Sequence, residues 1–131
     1  MIPIEPVAKG RAKTRFINGR ALTFTPKKTQ EAQEAVGLTV KSIYNTIPFQ
    51  PHIPLKLTAT FYRTKSKWLP KRETLPFRKP DLDNFLKLLL DGINMVAIPD
   101  DAQITNMIIK KRWSTNGHGY IEFELSEDND A

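Results

Sequence analysis

Residues 79–94 read KPDLDNFLKLLLDGIN, and the fold of this stretch decides how the rest of the chain is arranged. Phe85, Leu86, Leu88, Leu89, Leu90 and Ile93, with Val96 beyond, cover most of the circumference of a helix running from about Asp83 to Val96. A helix this apolar is largely buried and needs other elements packed around it. Its polar residues Asn84, Lys87, Asp91 and Asn94 are spaced 3, 4 and 3 apart. At about 100° per residue they share one narrow stripe, which Asp83 extends by a turn. Ionisable groups on such a helix must pair or face a cleft, because an unpaired buried charge is costly. Asp83–Lys87 and Lys87–Asp91 both have the i,i+4 spacing that lets opposite charges meet.

The elements around this helix follow from pattern. Asn18-Gly19 between KTRFI and RALTFT predicts a hairpin, because a type I′ turn needs positive φ twice. Thr25 suits a helix cap and Pro26 a first helical position. Ala32, Val36, Val40, Ile43, Tyr44 and Ile47 then recur at helical spacing. The prolines of IPFQPHIP (47–54) end that helix. PLKLTATFYR (54–63) alternates, with Leu55, Leu57, Ala59 and Phe61 facing one way. Residues 64–80 read as a loop, 102–113 as a strand, STNGHG as a turn, and 120–125 as a last strand with Ile121, Phe123 and Leu125 inward. The order hairpin, helix, strand, helix, hairpin predicts an α+β (α/β) fold: a small mixed β-sheet with two main helices packed on it. Residues 1–126 are expected to be a single domain, and 127–131 a disordered acidic tail.

Composition narrows the function. The 131 residues include no cysteine, so neither disulfides nor thiolate metal ligands are available, in keeping with a reducing, cytoplasmic setting. No apolar run approaches a membrane span, and the N-terminus lacks the apolar core of a signal peptide. Charge is unevenly placed. Residues 1–80 hold 16 Lys/Arg and four Glu, whereas residues 81–131 hold four Lys/Arg and ten Asp/Glu. A basic surface suits a polyanion such as nucleic acid.

Within that field, carboxylates are concentrated. Asp81 and Asp83 share a face if the segment is extended, and Asp100-Asp101 follow the helix after a short return. Taken singly each has an ordinary explanation: Asp83 a helix cap, Asp81 and Asp100-Asp101 turn residues, Lys87 and Asp91 solvated salt-bridge partners. Taken together, three or four converging carboxylates without Cys or His suit a hard cation such as Mg²⁺ or Mn²⁺. His52 and His118 lie in predicted turns and read as surface residues. No P-loop, Gly-rich phosphate loop or Ser-His-Asp set is present. An acidic pocket in a basic surface describes a metal-dependent nuclease.

The stretch FYRTKSKWLPKRETLPFRKP (61–80) carries seven Lys/Arg and one Glu, interleaved with Phe61, Tyr62, Trp68 and Phe77. Basic groups for phosphates and aromatic faces for unpaired bases suit branched or single-stranded DNA. The expected contacts are Lys65, Lys67, Trp68, Lys71, Arg72, Arg78 and Lys79.

KPDLDNFLKLLLDGIN…IPDDAQI resembles the RusA family of Holliday junction resolvases, crossover junction endodeoxyribonucleases common in phage and prophage genomes. The matching positions are Asp81, Asp83, Asn84, Lys87, Asp91, Asp100, Asp101, Gln103 and Ile104. The resemblance implies a homodimeric bacterial or phage-encoded enzyme of recombination and repair. Such an enzyme cuts four-way junctions by paired symmetric nicks with Mg²⁺ or Mn²⁺. It implies catalytic roles for Asp81, Asp83, Lys87 and Asp101, metal ligation by Asp81, Asp83, Asp101 and Asp100, and support from Asn84 and Asp91. A four-way junction is roughly two-fold symmetric, and one chain this short holds one Asp-x-Asp motif, which also favours a homodimer. Two alternatives remain open on sequence: a catalytically inactive branched-DNA-binding protein, and a metal-dependent nucleotidyl or phosphoryl transferase.

Overall fold

A computed structural model describes residues 1–7, 13–24 and 27–130. The hairpin forms from β1 (Lys13–Ile17) and β2 (Arg20–Phe24), with Ile17 paired to Arg20. Asn18 (φ 51°) and Gly19 (φ 75°) supply the two positive φ values of the turn. Helix α1 spans Lys27–Ile43, and the expected cap at Thr25 and Pro26 lies outside the described residues. Then come β3 (Leu55–Arg63), α2 (Leu82–Ile93), a single 3₁₀ turn (Asp101–Gln103), β4 (Ile104–Trp113) and β5 (Tyr120–Glu127).

The last two strands do not form the expected hairpin. The sheet order is β4-β3-β5, so the 114–119 turn carries the chain across the end of β3. β3 runs parallel to β4 and antiparallel to β5. α2 is thus the crossover of a β3–α2–β4 unit, and a parallel return needs a connection of that length. Burial selects the pairing: Leu57, Ala59 and Phe61 lie opposite Leu125, Phe123 and Ile121, so one continuous apolar face meets the helices. A local turn signal carries no information about that choice.

The core lies between this face and the two helices. It joins Val36 and Val40 of α1, Leu55, Leu57 and Phe61 of β3, and Phe85, Leu88, Leu89 and Ile93 of α2. Phe61 and Phe85 meet with ring centroids 5.6 Å apart. Ile43 and Ile47, expected on the apolar stripe of α1, are exposed where that helix ends. At the N-terminus, Ile2 exchanges two backbone hydrogen bonds with Ile121 (2.7 and 2.9 Å) and is fully buried against the outer edge of β5. β5 runs on to Glu127. In the segment expected as a tail, Asp128 N–H donates to the Pro54 carbonyl (2.8 Å) and its carboxylate accepts from Thr105 Oγ1 (2.6 Å). No helix among the described residues is long and apolar enough to cross a membrane.

Gly92 is the point of closest approach between α1 and α2, where a methyl group would overlap the Val36 side chain. Both neighbours are core residues, so the overlap cannot be relieved toward solvent. Gly92→Ala is expected to destabilise the fold by ~1–3 kcal/mol despite the better helix propensity of Ala. Urea unfolding reads this as a lower midpoint with an unchanged slope; an equal or higher midpoint would mean the helices can move apart freely.

Candidate active site

The N-terminal end of α2 carries the first acidic pair. Asp81 stands at the N-cap position in extended conformation (φ −69°, ψ 151°) but makes no side-chain cap hydrogen bond. Its carboxylate instead pairs with Lys79 Nζ at 3.0 Å, both groups being open to solvent. Asp83 is exposed in the first turn, where the partial positive charge of the helix terminus favours a carboxylate. Asn84 is half-buried beside it, and Lys87 and Asp91 are exposed further along the helix. Two basic residues that the sequence pattern does not single out fix this end. Lys111 Nζ, from the far end of β4, donates to the Arg78 and Pro80 carbonyls (3.1 and 3.0 Å). Arg63, from the end of β3, donates to the Lys79 carbonyl (3.3 Å) and lies over the Phe85 ring, 5.7 Å from its centroid. Only the juxtaposition of strand ends with the start of α2 brings them there.

The second acidic pair is held at the opposite end of the same helix. Asn94 Oδ1, at the C-cap, accepts a hydrogen bond from the Asp101 backbone N–H (3.0 Å). Asp100 caps the 3₁₀ turn by accepting from Ala102 N–H (3.0 Å). Gln103 Nε2 donates to the Gln50 and Ile53 carbonyls, both at 3.0 Å, tying the turn to the 50–53 segment. Asp100, His52, Gln103 and Thr105 share the wall of an open cleft of about 490 Å³. Asp101 and both histidines are exposed.

The expected convergence of Asp81, Asp83 and Asp101 on one point is therefore not met within a single chain. Asp83 and Ile93 are separated by roughly 15 Å of helix at about 1.5 Å per residue. The return after α2 does not run back along it. Met95 N–H bonds the Ile98 carbonyl (2.8 Å), and this tight turn leaves Asp100 and Asp101 beside the helix C-terminus. Among the described residues no three His, Asp or Glu side chains are grouped to hold a metal ion. The carboxylates of one chain do not, by themselves, fit the divalent cation that the resemblance implies.

The basic loop that enters the site is braced around Glu73. Its carbonyl accepts from Lys65 Nζ (2.7 Å) and Trp113 Nε1 (3.0 Å). Its carboxylate grips the Arg78 guanidinium through two hydrogen bonds, which hold the acid below its ordinary range. Arg78 also lies over the Phe77 ring. Three of the expected DNA contacts, Lys65, Arg78 and Lys79, are thus engaged in holding the loop or in pairing with Asp81. Lys67, Trp68, Lys71 and Arg72 face solvent, and Trp68 is 88% exposed at the tip of a turn closed by Leu69 N–H to the Ser66 carbonyl (3.1 Å). Composition alone cannot separate the bracing cations from the outward ones.

Residues 3–124 match the family described as endodeoxyribonuclease RusA. The chain is also 25% identical over 118 residues to the uncharacterized protein YqaN of Bacillus subtilis (strain 168), covering 84% of this chain and 83% of that protein.

Proposed function

We propose that this chain, which belongs to the RusA endodeoxyribonuclease family, is a structure-specific endonuclease that resolves four-way DNA junctions by paired, symmetric nicks. One observation carries the reading. The braced loop that displays Lys67, Trp68, Lys71 and Arg72 ends at Lys79-Pro80 and opens directly into Asp81 and Asp83. The cations neutralise phosphates, the exposed indole offers a face to an unpaired base, and the carboxylates stand next along the chain. Lys87, one turn beyond Asp83, adds positive charge where a phosphodiester would be strained.

The separation of the acidic pairs shapes the rest of the reading. Two copies related by a two-fold axis, with their α2 helices reversed, bring the Asp100–Asp101 end of each toward the Asp81–Asp83 end of the other. The active site is then built twice, each time from two chains, which matches a substrate of roughly two-fold symmetry. Such an all-oxygen donor set suits Mg²⁺ or Mn²⁺, whose chemistry when bound is charge neutralisation and Lewis-acid polarisation of the phosphate.

The test is a mobile four-way junction and a linear duplex of the same sequence, each incubated with the protein with and without Mg²⁺. Paired nicks in opposed strands of the junction alone, requiring the cation, are expected. Binding without cutting would identify an inactive junction-binding protein, and equal cutting of the duplex a non-selective nuclease. Binding should also fall steeply with salt. Replacing Lys67, Lys71 and Arg72 by Ala is expected to flatten the log–log salt slope by about 0.9 for each phosphate that is no longer neutralised. An unchanged slope would mean that the loop faces away from DNA.

A further inference from the structure

The two edges of the sheet are not alike. The outer edge of β5 is closed by Ile2, through hydrogen bonds in both directions with Ile121. β4 forms the other edge, and among the described residues no strand lies beyond it. It is ten residues long, and its middle is apolar and open: Met107 is 37% and Ile108 43% exposed, with half-buried Ile109 next. A long edge of unpaired N–H and C=O groups flanked by apolar side chains is a template for another strand.

Charge along this edge indicates which strand. At its start, Asp128 accepts from Thr105 Oγ1 (2.6 Å) and Asp130 from Asn106 Nδ2 (3.4 Å), so two carboxylates flank the first residues of β4. At its end stand Lys110, Lys111 and Arg112. The edge is acidic at one end, apolar in the middle and basic at the other. A second copy of the same strand laid antiparallel sets each acidic end beside a basic end, twice, with the apolar residues at the centre. A parallel copy would set like charges together.

The geometry points to the outer edge of β4 as a two-fold interface with a second copy of this chain, giving a continuous six-stranded sheet. This rests on the composite-site reading above and names the surface that builds it. The 3₁₀ turn bearing Asp101 immediately precedes β4, whereas Lys111, near the end of β4, holds the Pro80 carbonyl beside Asp81. Antiparallel pairing therefore carries the Asp101 end of each chain toward the Asp81 end of the other. The register is restricted. The pairing with β3 shifts at Thr105, where Leu55 and Lys56 oppose Ile104 and Asn106, and this bulge leaves Asn106–Arg112 as the straight segment. Symmetric antiparallel strands place one residue opposite its own copy. An axis at Lys110 or Lys111 would oppose like charges, so the axis falls at Met107, Ile108 or Ile109.

The chain has no cysteine, which makes the test clean. A residue facing its own copy has its Cα about 4.5–5.5 Å from the partner atom, within disulfide range. Met107→Cys, Ile108→Cys and Ile109→Cys are made singly in the full chain and oxidised mildly without DNA, with Leu38→Cys on the exposed face of α1 as control. One of the three is expected to become predominantly disulfide-linked dimer, and the control to remain monomeric on a denaturing gel. Ile108→Lys should in addition shift the unmodified protein toward monomer in sedimentation at micromolar concentration. Cross-linking at none of the three sites, cross-linking no better than at Leu38, or an undiminished dimer for Ile108→Lys would overturn the interface. Because no step uses DNA, the outcomes separate: a linked dimer that cuts nothing sinks the nuclease reading alone, and junction cutting without linkage sinks the interface alone.

Discussion

Asp83→Asn is expected to reduce junction cleavage at least ~100-fold, a loss of roughly 2.7 kcal/mol of transition-state stabilisation, while leaving junction binding intact or tighter. The substitution removes one negative charge and almost no volume. Asp83 is exposed in the first turn of α2, so its structural role is confined to the favourable interaction with the helix terminus, about 0.3–1 kcal/mol. The core residues of that helix, Phe85, Leu88, Leu89 and Ile93, are untouched. Binding rests on the loop cations, and a carboxylate beside a phosphate opposes binding unless a cation intervenes, so its removal does not weaken affinity. Asp101→Asn should behave alike for a separate reason: the hydrogen bond that fixes the turn to Asn94 is made by the Asp101 backbone N–H, which the variant keeps. Single-turnover cleavage and gel-shift titration measure the two quantities, with Glu34→Gln on exposed α1 as a charge control. Undiminished cleavage by Asp83→Asn would remove this end of α2 from the active site.

Local pattern carried far into the structure and then stopped for identifiable reasons. The burial of α2, the alternation of β3 and the Asn18-Gly19 turn are properties of short windows, and each appears as read. The partners of β4 and β5 are not such a property. A turn of Ser, Asn and Gly residues between two strands is as consistent with a crossing as with a hairpin, and only the match of buried side chains across β3 decides. The same limit applies to the site. Its residues are identifiable by type and spacing, but their meeting depends on the path of residues 95–100 between Asn94 and Asp101. A loose return could have lain back along α2; the bond from Met95 N–H to the Ile98 carbonyl makes it a tight one. The loop shows the converse case. Seven basic residues look equivalent in sequence, yet Lys65 and Arg78 close around Glu73, while Lys67, Lys71 and Arg72 face outward.

If each active site draws Asp81 and Asp83 from one chain and Asp101 from another, two inactive variants should restore each other. In a dimer of an Asp83→Asn chain with an Asp101→Asn chain, one site receives both substitutions. The other receives neither, because its Asp83 comes from the second chain and its Asp101 from the first. Random exchange of subunits makes half of the dimers mixed, so about a quarter of all sites should be intact. Nicking is therefore expected to return to roughly that fraction of the unmodified rate. The products should be singly nicked junctions and not resolved duplexes, since no mixed dimer holds two working sites. Mixing Asp81→Asn with Asp83→Asn should restore nothing, because both residues sit at the same end of α2 and every mixed site keeps one lesion. A site assembled within one chain gives a different result: each chain of every mixture carries its own defect, and no pair recovers. Denaturing gels of a junction labelled on each strand in turn read both rate and product. Recovery by the opposite-end pair alone identifies a shared site, and failure of that pair with stable mixed dimers present would return the two acidic ends to separate roles.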